Sequence, residues 1–364
     1  MKTCKYKTVL ISLLLINTPF FVLNAQNDTN NIEKFIKQTS VSGKWFLAYN
    51  YNLSENTNQF QIKRGYLTVK SQLSNNISVR YTQDITTDEE GSDAGNIEIR
   101  MKYLYMKFAI PDFTIFKNMH IETGLVHTPW LSFEGNINNY RVLGKMFADR
   151  SKLLISADFG ITLGGNIGEE LSVNIKNKVG KYNAGKYGSF SIGIFNGGGY
   201  HDIEYNNNKT FEGRLSIRPF PNYFPSLQLS YATSIGKSNI EINQSNYNIN
   251  LFALSIHNKK FTLATQYTTG NGNFQGNYFN TANQALYNSG ISIIGDIKIP
   301  KTNITLFSRY DNFQIKRNTV DLKEFYIVGI KYNFLQNNIL FFYQTDFYGE
   351  FRSSLFELAL EVKF

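Results

Sequence analysis

The feature that most constrains this chain is a strict alternation of apolar and polar side chains, repeated segment after segment. In 77–84, Ile77, Val79 and Tyr81 fall on one side and Ser78, Arg80, Thr82 and Asp84 on the other. In 210–218, Phe211, Gly213, Leu215 and Ile217 oppose Glu212, Arg214, Ser216 and Arg218. In 302–311, Ile304, Leu306, Ser308 and Tyr310 oppose Thr305, Phe307, Arg309 and Asp311. In 356–364, Phe356, Leu358, Leu360, Val362 and Phe364 oppose Glu357, Ala359, Glu361 and Lys363. Successive side chains of a strand leave opposite faces, so each segment builds one apolar and one polar wall.

Sixteen such segments are expected as strands: 43–53, 60–73, 77–85, 97–110, 119–127, 154–167, 187–196, 209–218, 226–236, 247–257, 260–270, 289–299, 302–313, 323–334, 338–347 and 354–364. A seventeenth candidate, 171–178, breaks the alternation of short and long connections. With 168–186 taken as one connection, the turns at 75–76, 111–118, 219–225, 258–259, 300–301 and 335–337 fall at one end. The longer loops 86–96, 128–153, 197–208, 237–246, 271–288 and 314–322 fall at the other. That asymmetry belongs to transmembrane β-barrels, and strands of about ten residues suit a tilted crossing of the hydrocarbon layer.

A soluble β-sandwich also alternates, and the mean hydropathy of −0.28 suits it. Two opposed faces cancel in such an average, however, and sandwich strands are usually about five or six residues long. Aromatic residues near strand ends, at Tyr103, Tyr105, Phe334, Phe341 to Tyr343 and Phe364, fit interfacial girdles. The expected fold is therefore an all-β, antiparallel transmembrane barrel of about sixteen strands, with eighteen as the upper bound. The final strand, with Phe356, Leu358, Leu360, Val362 and a terminal Phe364, has the form read by barrel-assembly machinery.

Residues 1–25 read as a signal peptide: Lys2, Lys5 and Lys7, then apolar runs from Val9 to Leu15 and Phe20 to Leu23, then Ala25 before the expected mature start at Gln26. Export places the barrel in an outer membrane, with lipid as its immediate partner. Residues 26–42 are expected as a short periplasmic lead-in. Cys4, the single cysteine, lies in the leader, so the mature chain has no thiol chemistry. Removing the leader leaves 34 basic against 28 acidic side chains, a net charge of +6, with no basic cluster of the kind that binds nucleic acid.

An enzyme of this class needs a nucleophile, a base and an orienting group on neighbouring strands. Of His120, His127, His201 and His257, only His120 is expected to face inward near a carboxylate, Glu122, and no Gly-x-Ser-x-Gly elbow occurs. Metal-ligand spacing is absent, and no cofactor is implied. The polar strand faces supply lumen candidates instead: Arg64, Lys70, Arg80, Arg100, Lys102, Arg214, Arg218, Lys298, Arg309 and Lys331. Against them stand Asp84, Glu98, Glu122, Asp158, Glu212, Asp296, Asp311, Glu357 and Glu361. Near-balanced charge in a water-filled pore predicts weak ion selectivity. A non-conducting structural or adhesive barrel is the alternative reading, with a hydrolase behind it.

Several stretches resemble the phosphate-selective porins O and P. They are Arg64-Gly65-Tyr66-Leu67-Thr68-Val69-Lys70 with Val79-Arg80-Tyr81; Gly124-Leu125-Val126-His127-Thr128-Pro129-Trp130; Asp158-Phe159-Gly160-Ile161; Phe195-Asn196-Gly197-Gly198-Gly199-Tyr200 with Asn208-Lys209; and Arg309-Tyr310-Asp311. The resemblance implies a sixteen-stranded, anion-preferring diffusion channel for small anionic or neutral solutes, phosphate among them, able to form homotrimers, with a long loop folded into the pore. The chain departs from the phosphate-specific members in having no dense ladder of lysines and arginines. The loop 128–153 would be the constriction, with an external loop packed on the rim as the equal alternative from its residues alone. Its anchors are Trp130, Leu131, Phe133, Leu143, Met146 and Phe147, and its eyelet charges are Arg141, Lys145, Arg150 and Lys152 against Glu134.

Overall fold

The computed structural model describes residues 36–88, 94–241, 244–317 and 320–364. The expected leader 1–25 and the lead-in as far as residue 35 lie outside them. Sixteen antiparallel strands form one closed barrel, each paired with its neighbours in sequence, and β1 pairing with β16. They are β1 Thr39–Asn52, β2 Thr57–Ser74, β3 Ile77–Thr87, β4 Ile97–Ala109, β5 Phe116–His127, β6 Ala157–Ile167, β7 Gly188–Phe195 and β8 Thr210–Ile217. The second half comprises β9 Leu227–Lys237, β10 Asn246–His257, β11 Phe261–Asn271, β12 Tyr287–Lys298, β13 Ile304–Lys316, β14 Val320–Phe334, β15 Asn337–Tyr348 and β16 Phe351–Lys363. The count is sixteen, and β1 starts at Thr39 rather than Gly43. The stretch 171–178 is no strand: Val173–Val179 is a short helix (α3) inside the β6–β7 connection.

Outward residues are apolar and exposed around the wall, among them Ile161, Ile194, Leu215, Ile235, Phe252, Ile293, Leu306, Val328, Ile330, Phe341 and Leu358. Water would not tolerate so continuous an apolar belt, whereas hydrocarbon requires it, and closure leaves no unpaired strand edge. Phe364 completes the seam. Its backbone exchanges both hydrogen bonds with Gly43, at 2.9 and 3.2 Å, and its ring lies over the space where a Cβ on residue 43 would stand.

Two features depart from simple alternation. In β4 the register against β3 slips between Thr82 and Gln83, which pair with Tyr103 and Met101, leaving Lys102 as an extra residue. A bulge of this kind inverts the phase of the remainder of the strand. Lys102 and Tyr103 therefore both turn inward, Tyr105 comes next on that face, and Leu104 and Met106 face out. Tyr103 and Tyr105 are thus lumen residues and not girdle residues, and Phe342, buried on the inner wall, is likewise not part of a girdle.

The second departure is on the far wall, where the inner face carries large apolar side chains: Tyr247, Ile249 and Leu251 on β10, Phe307, Phe313 and Ile315 on β13, Phe325 and Ile327 on β14, and Leu340 and Phe342 on β15. Segment 128–156 packs on this wall. It carries helix α1 (Pro129–Ile137), a 3-10 turn (Arg141–Leu143) and helix α2 (Phe147–Arg150). Trp130, Leu131, Phe133, Met146, Phe147, Leu153 and Leu154 join the β10 and β13 residues in one buried cluster, while Tyr140, Val142 and Leu143 join the β13–β15 residues in another. Each such side chain removed from water contributes about 1.5–3 kcal/mol, which holds an otherwise irregular segment inside the barrel.

Candidate channel constriction

Proline at the start of α1 sets the helical turn that carries the loop inward from β5. The loop is then tied down by hydrogen bonds to several walls. Trp130 Nε1 donates to Glu134 Oε2 at 3.0 Å, and Gln266 Nε2 of β11 donates to Glu134 Oε1 at 2.8 Å. Arg309 of β13 donates to the Lys145 carbonyl at 3.0 Å, Asn273 Nδ2 to the Lys152 carbonyl at 3.0 Å, and the Tyr278 hydroxyl to the Ser151 carbonyl at 2.8 Å. Burial raises the Glu134 carboxyl to about 7, despite the Gln266 donor.

The expected eyelet residues separate into two groups. Arg141, Lys145 and Lys152 line a cavity of about 760 Å³ at the loop end of the barrel, together with Lys63, Arg64, Arg100, Asp88, Glu98 and Asp149. Glu134 and Arg150 do not line it. Glu134 is buried between Trp130 and Gln266, and the Arg150 guanidinium lies 3.2 Å from the centre of the Phe325 ring, its charge 3.9 Å from Asp346. The reason is the helical register: α1 and α2 each turn one face to the apolar wall, and these two residues are on it.

Arg141 occupies a special place. It also lines a second cavity, of about 290 Å³, on the terminus side, with Lys44, Lys331, Glu361 and Lys363. It therefore stands where the two spaces approach each other, and its Nη1 is buried without a hydrogen-bond partner. A third space of about 390 Å³ lies beneath α1 and is lined by Arg80, Lys107, Lys181 and Arg214 with Glu122 and Glu170.

The strand charges expected in the lumen sort by partner. Arg64 grips Asp84 through two hydrogen bonds, of 2.7 and 2.5 Å, and Arg100 stands 3.5 Å from Glu98 and 3.9 Å from Asp84. Arg309 holds Asp311 in the same two-pronged manner, at 3.0 and 2.6 Å. Arg214 is buried on Ser189 and Ser216, its guanidinium 4.6 Å from the Phe133 ring. Lys331 lies 4.5 Å over the Tyr140 ring. Lys102 is buried, bonded to Ser156 at 2.9 Å and surrounded by the rings of Tyr66, Tyr103 and Tyr200. Lys70 lies near the terminus end of β2, on the face of Thr68.

The acids are more sequestered than the bases. Asp84 and Asp311 are buried in ion pairs, Glu357 pairs with Lys63 at 2.5 Å, and Asp158 accepts the amides of Phe159 at 2.6 Å and Gly197 at 2.7 Å. The near-balance of charge expected from strand faces does not carry over to the cavity walls. The 760 Å³ space is lined by six basic against three acidic residues, and the one on the terminus side by four against one.

Three groups had no expected role. Tyr200, from the 196–209 loop, reaches across to β2 and β3: its hydroxyl donates to Asp84 at 3.0 Å and accepts from Arg64 at 2.9 Å. His127, not His120, partners Glu122, at 3.3 Å, and its other nitrogen faces Arg80 at 2.9 Å, between Tyr103 and Tyr105. Gln266 anchors Glu134. A tyrosine closing the run Gly197-Gly198-Gly199 is the one local signal that pointed to any of these.

The fold is a closed sixteen-stranded antiparallel β-barrel with one connection packed inside it, an architecture it shares with outer-membrane porins of known structure. Among solved structures, it is similar to OmpF of Salmonella typhi in complex with daunomycin, at 12% identity and TM-score 0.60, covering 90% of this chain and 97% of that one. It is similar to the anion-selective porin from Comamonas acidovorans at 8% identity and TM-score 0.59, covering 90% and 99%. The trimer form of OmpT from Vibrio cholerae matches at 8% identity and TM-score 0.58, with the same coverage. No family model matches the sequence, and no curated protein does.

Proposed function

We propose that this chain is an outer-membrane porin, exported by the 1–25 leader, that lets small hydrophilic solutes diffuse passively with a preference for anions. The observation that carries the reading is Arg141, one guanidinium nitrogen unpartnered, where two cation-rich spaces approach each other. A ring of fixed positive charge lowers the barrier for anions and raises it for cations. Lys145 and Lys152 extend the positive wall toward the loop end, which is the outer face of the membrane in this reading. Inorganic phosphate is the finer version of the proposal, since its oxygens match the donors of a guanidinium.

Phe356, Leu358, Leu360, Val362 and Phe364 serve as the assembly signal, and the apolar outer wall leaves room for a homotrimer. The test is the reversal potential across a planar bilayer under a potassium chloride gradient. The wild type is expected to favour chloride, and Arg141→Glu with Lys145→Glu to move the potential toward potassium. An unchanged potential overturns the role of the loop. Electrical silence from a folded, inserted barrel favours the structural reading instead, in which the docked loop seals the lumen.

A further inference from the structure

The outer wall loses its apolar character at one place. On the loop-end half of β10 the usual phase is exchanged: Tyr247, Ile249 and Leu251 turn inward to hold the docked loop, and Asn248 and Asn250 are left facing out. Asn271 of β11 stands opposite Asn248 and donates to its Oδ1 at 3.3 Å. Beside them Phe211 of β8 pairs with Ile235 of β9, and two residues further toward the loops stand Lys209, just before β8, and Lys237, the last residue of β9. Both are exposed, and with Ile235, Asn248 and Asn271 they line an outward groove of about 560 Å³.

Like charges facing each other across a strand pair are unfavourable unless an anion answers them. Among the described residues, no carboxylate lines this groove. Lys209 Nζ reaches only the Asn208 carbonyl, at 3.2 Å, and Glu204, the acid that feels its charge, accepts from the Gly198 amide. Below the groove the wall becomes apolar again at Tyr231 and Phe252, which are paired with ring centres 5.2 Å apart. Charge and amide donors above and apolar surface below match the order of a lipid: anionic headgroup, then acyl chain.

We propose that this groove is a binding site for one phosphate-bearing membrane lipid, its headgroup between Lys209 and Lys237 and its chain against Ile235 and Phe252. The assignment rests on the proposal that the barrel sits in a bilayer. It also links the two sides of the wall: the inward turn of β10 that seats the constriction loop is what exposes the asparagines to the headgroup.

The test is native mass spectrometry of the full barrel from mixed micelles containing phosphatidic acid, phosphatidylcholine or inorganic phosphate. The wild type is expected to retain one phosphatidic acid, and Lys209→Gln with Lys237→Gln to bind it about 30-fold more weakly. Phosphatidylcholine is expected not to be retained, and millimolar inorganic phosphate not to displace the lipid. Equal retention of phosphatidic acid by both proteins, or equal retention of the two lipids, overturns the proposal. Displacement by inorganic phosphate also overturns it, by making the groove a free-anion site. The double variant must still form conducting barrels; if neither protein inserts or conducts, the bilayer reading itself has failed.

Discussion

Gln266 on β11 donates its amide to Glu134 on the inward loop at 2.8 Å, across 132 residues of sequence. With Trp130 Nε1 at 3.0 Å on the other oxygen, this carboxyl is the polar centre of an otherwise apolar contact between loop and wall.

Because burial raises Glu134 from 4.5 to about 7, the docked loop binds a proton more tightly than the free loop does. The resulting stabilisation is fully present below about pH 4.5 and is lost as pH rises through about 7, on the order of 3 kcal/mol over that window. Trp45 and Trp130 are the two tryptophans. In a Trp45→Phe background, Trp130 fluorescence should become more quenchable as pH rises through 7. Glu134→Gln should remove the transition, and a flat wild-type profile contradicts the account.

Arg309 joins the wall to the loop while holding Asp311. Arg309→Ala strands a buried carboxylate, a loss of about 3–5 kcal/mol, and frees the Lys145 carbonyl. Flickering conductance and protease cleavage within 141–152 are expected. Arg309→Met with Asp311→Leu should recover stability but not the quiet conductance.

Tyr200→Phe removes two hydrogen bonds of the strap over the large cavity, at about 1–3 kcal/mol together, and leaves the Arg64–Asp84 pair intact. A higher single-channel conductance with unchanged ion preference is expected. A changed preference would place Tyr200 among the residues that select.

The bulge at Lys102 is open to cysteine labelling, because the single native cysteine, Cys4, precedes the first strand in sequence. Leu104→Cys and Met106→Cys should resist charged, water-soluble thiol reagents in lipid and react with lipid-soluble maleimides. Unbroken alternation from Arg100 onward would reverse both outcomes.

At the seam, a Cβ on residue 43 would stand 2.1 Å from the Phe364 ring. Gly43→Ala should expel that ring and slow assembly, seen as less of the heat-modifiable folded band on gels. Phe364→Leu added to it should restore part of the yield.

Strand number, connection parity and the faces of β8, β13 and β16 were legible in the sequence, because alternation is a local property of consecutive residues. Length and apolar anchors marked 128–153 as either an inward constriction or an external loop on the rim, and the apolar inner faces of β10 and β13 decide for the inward placement. Its charges were not correctly divided. Helical register and the position of the wall decide that Glu134 is buried and Arg150 lies against the Phe325 ring while Arg141 lines two of the internal spaces, and neither is visible one residue at a time.

The sequence by itself pointed to a barrel with an apolar outside, since strands of about ten residues alternating in period two, joined by short connections at one end and long ones at the other, suit a tilted membrane crossing better than a sandwich. The tertiary structure alone decided what fills the barrel. A one-residue bulge turned Tyr103 and Tyr105 inward, and contacts between residues more than a hundred positions apart, Glu134 with Gln266 and Arg150 with Phe325, decided which loop charges are withdrawn from the internal spaces. Such contacts depend on distances across the lumen, and no run of neighbouring residues encodes those distances.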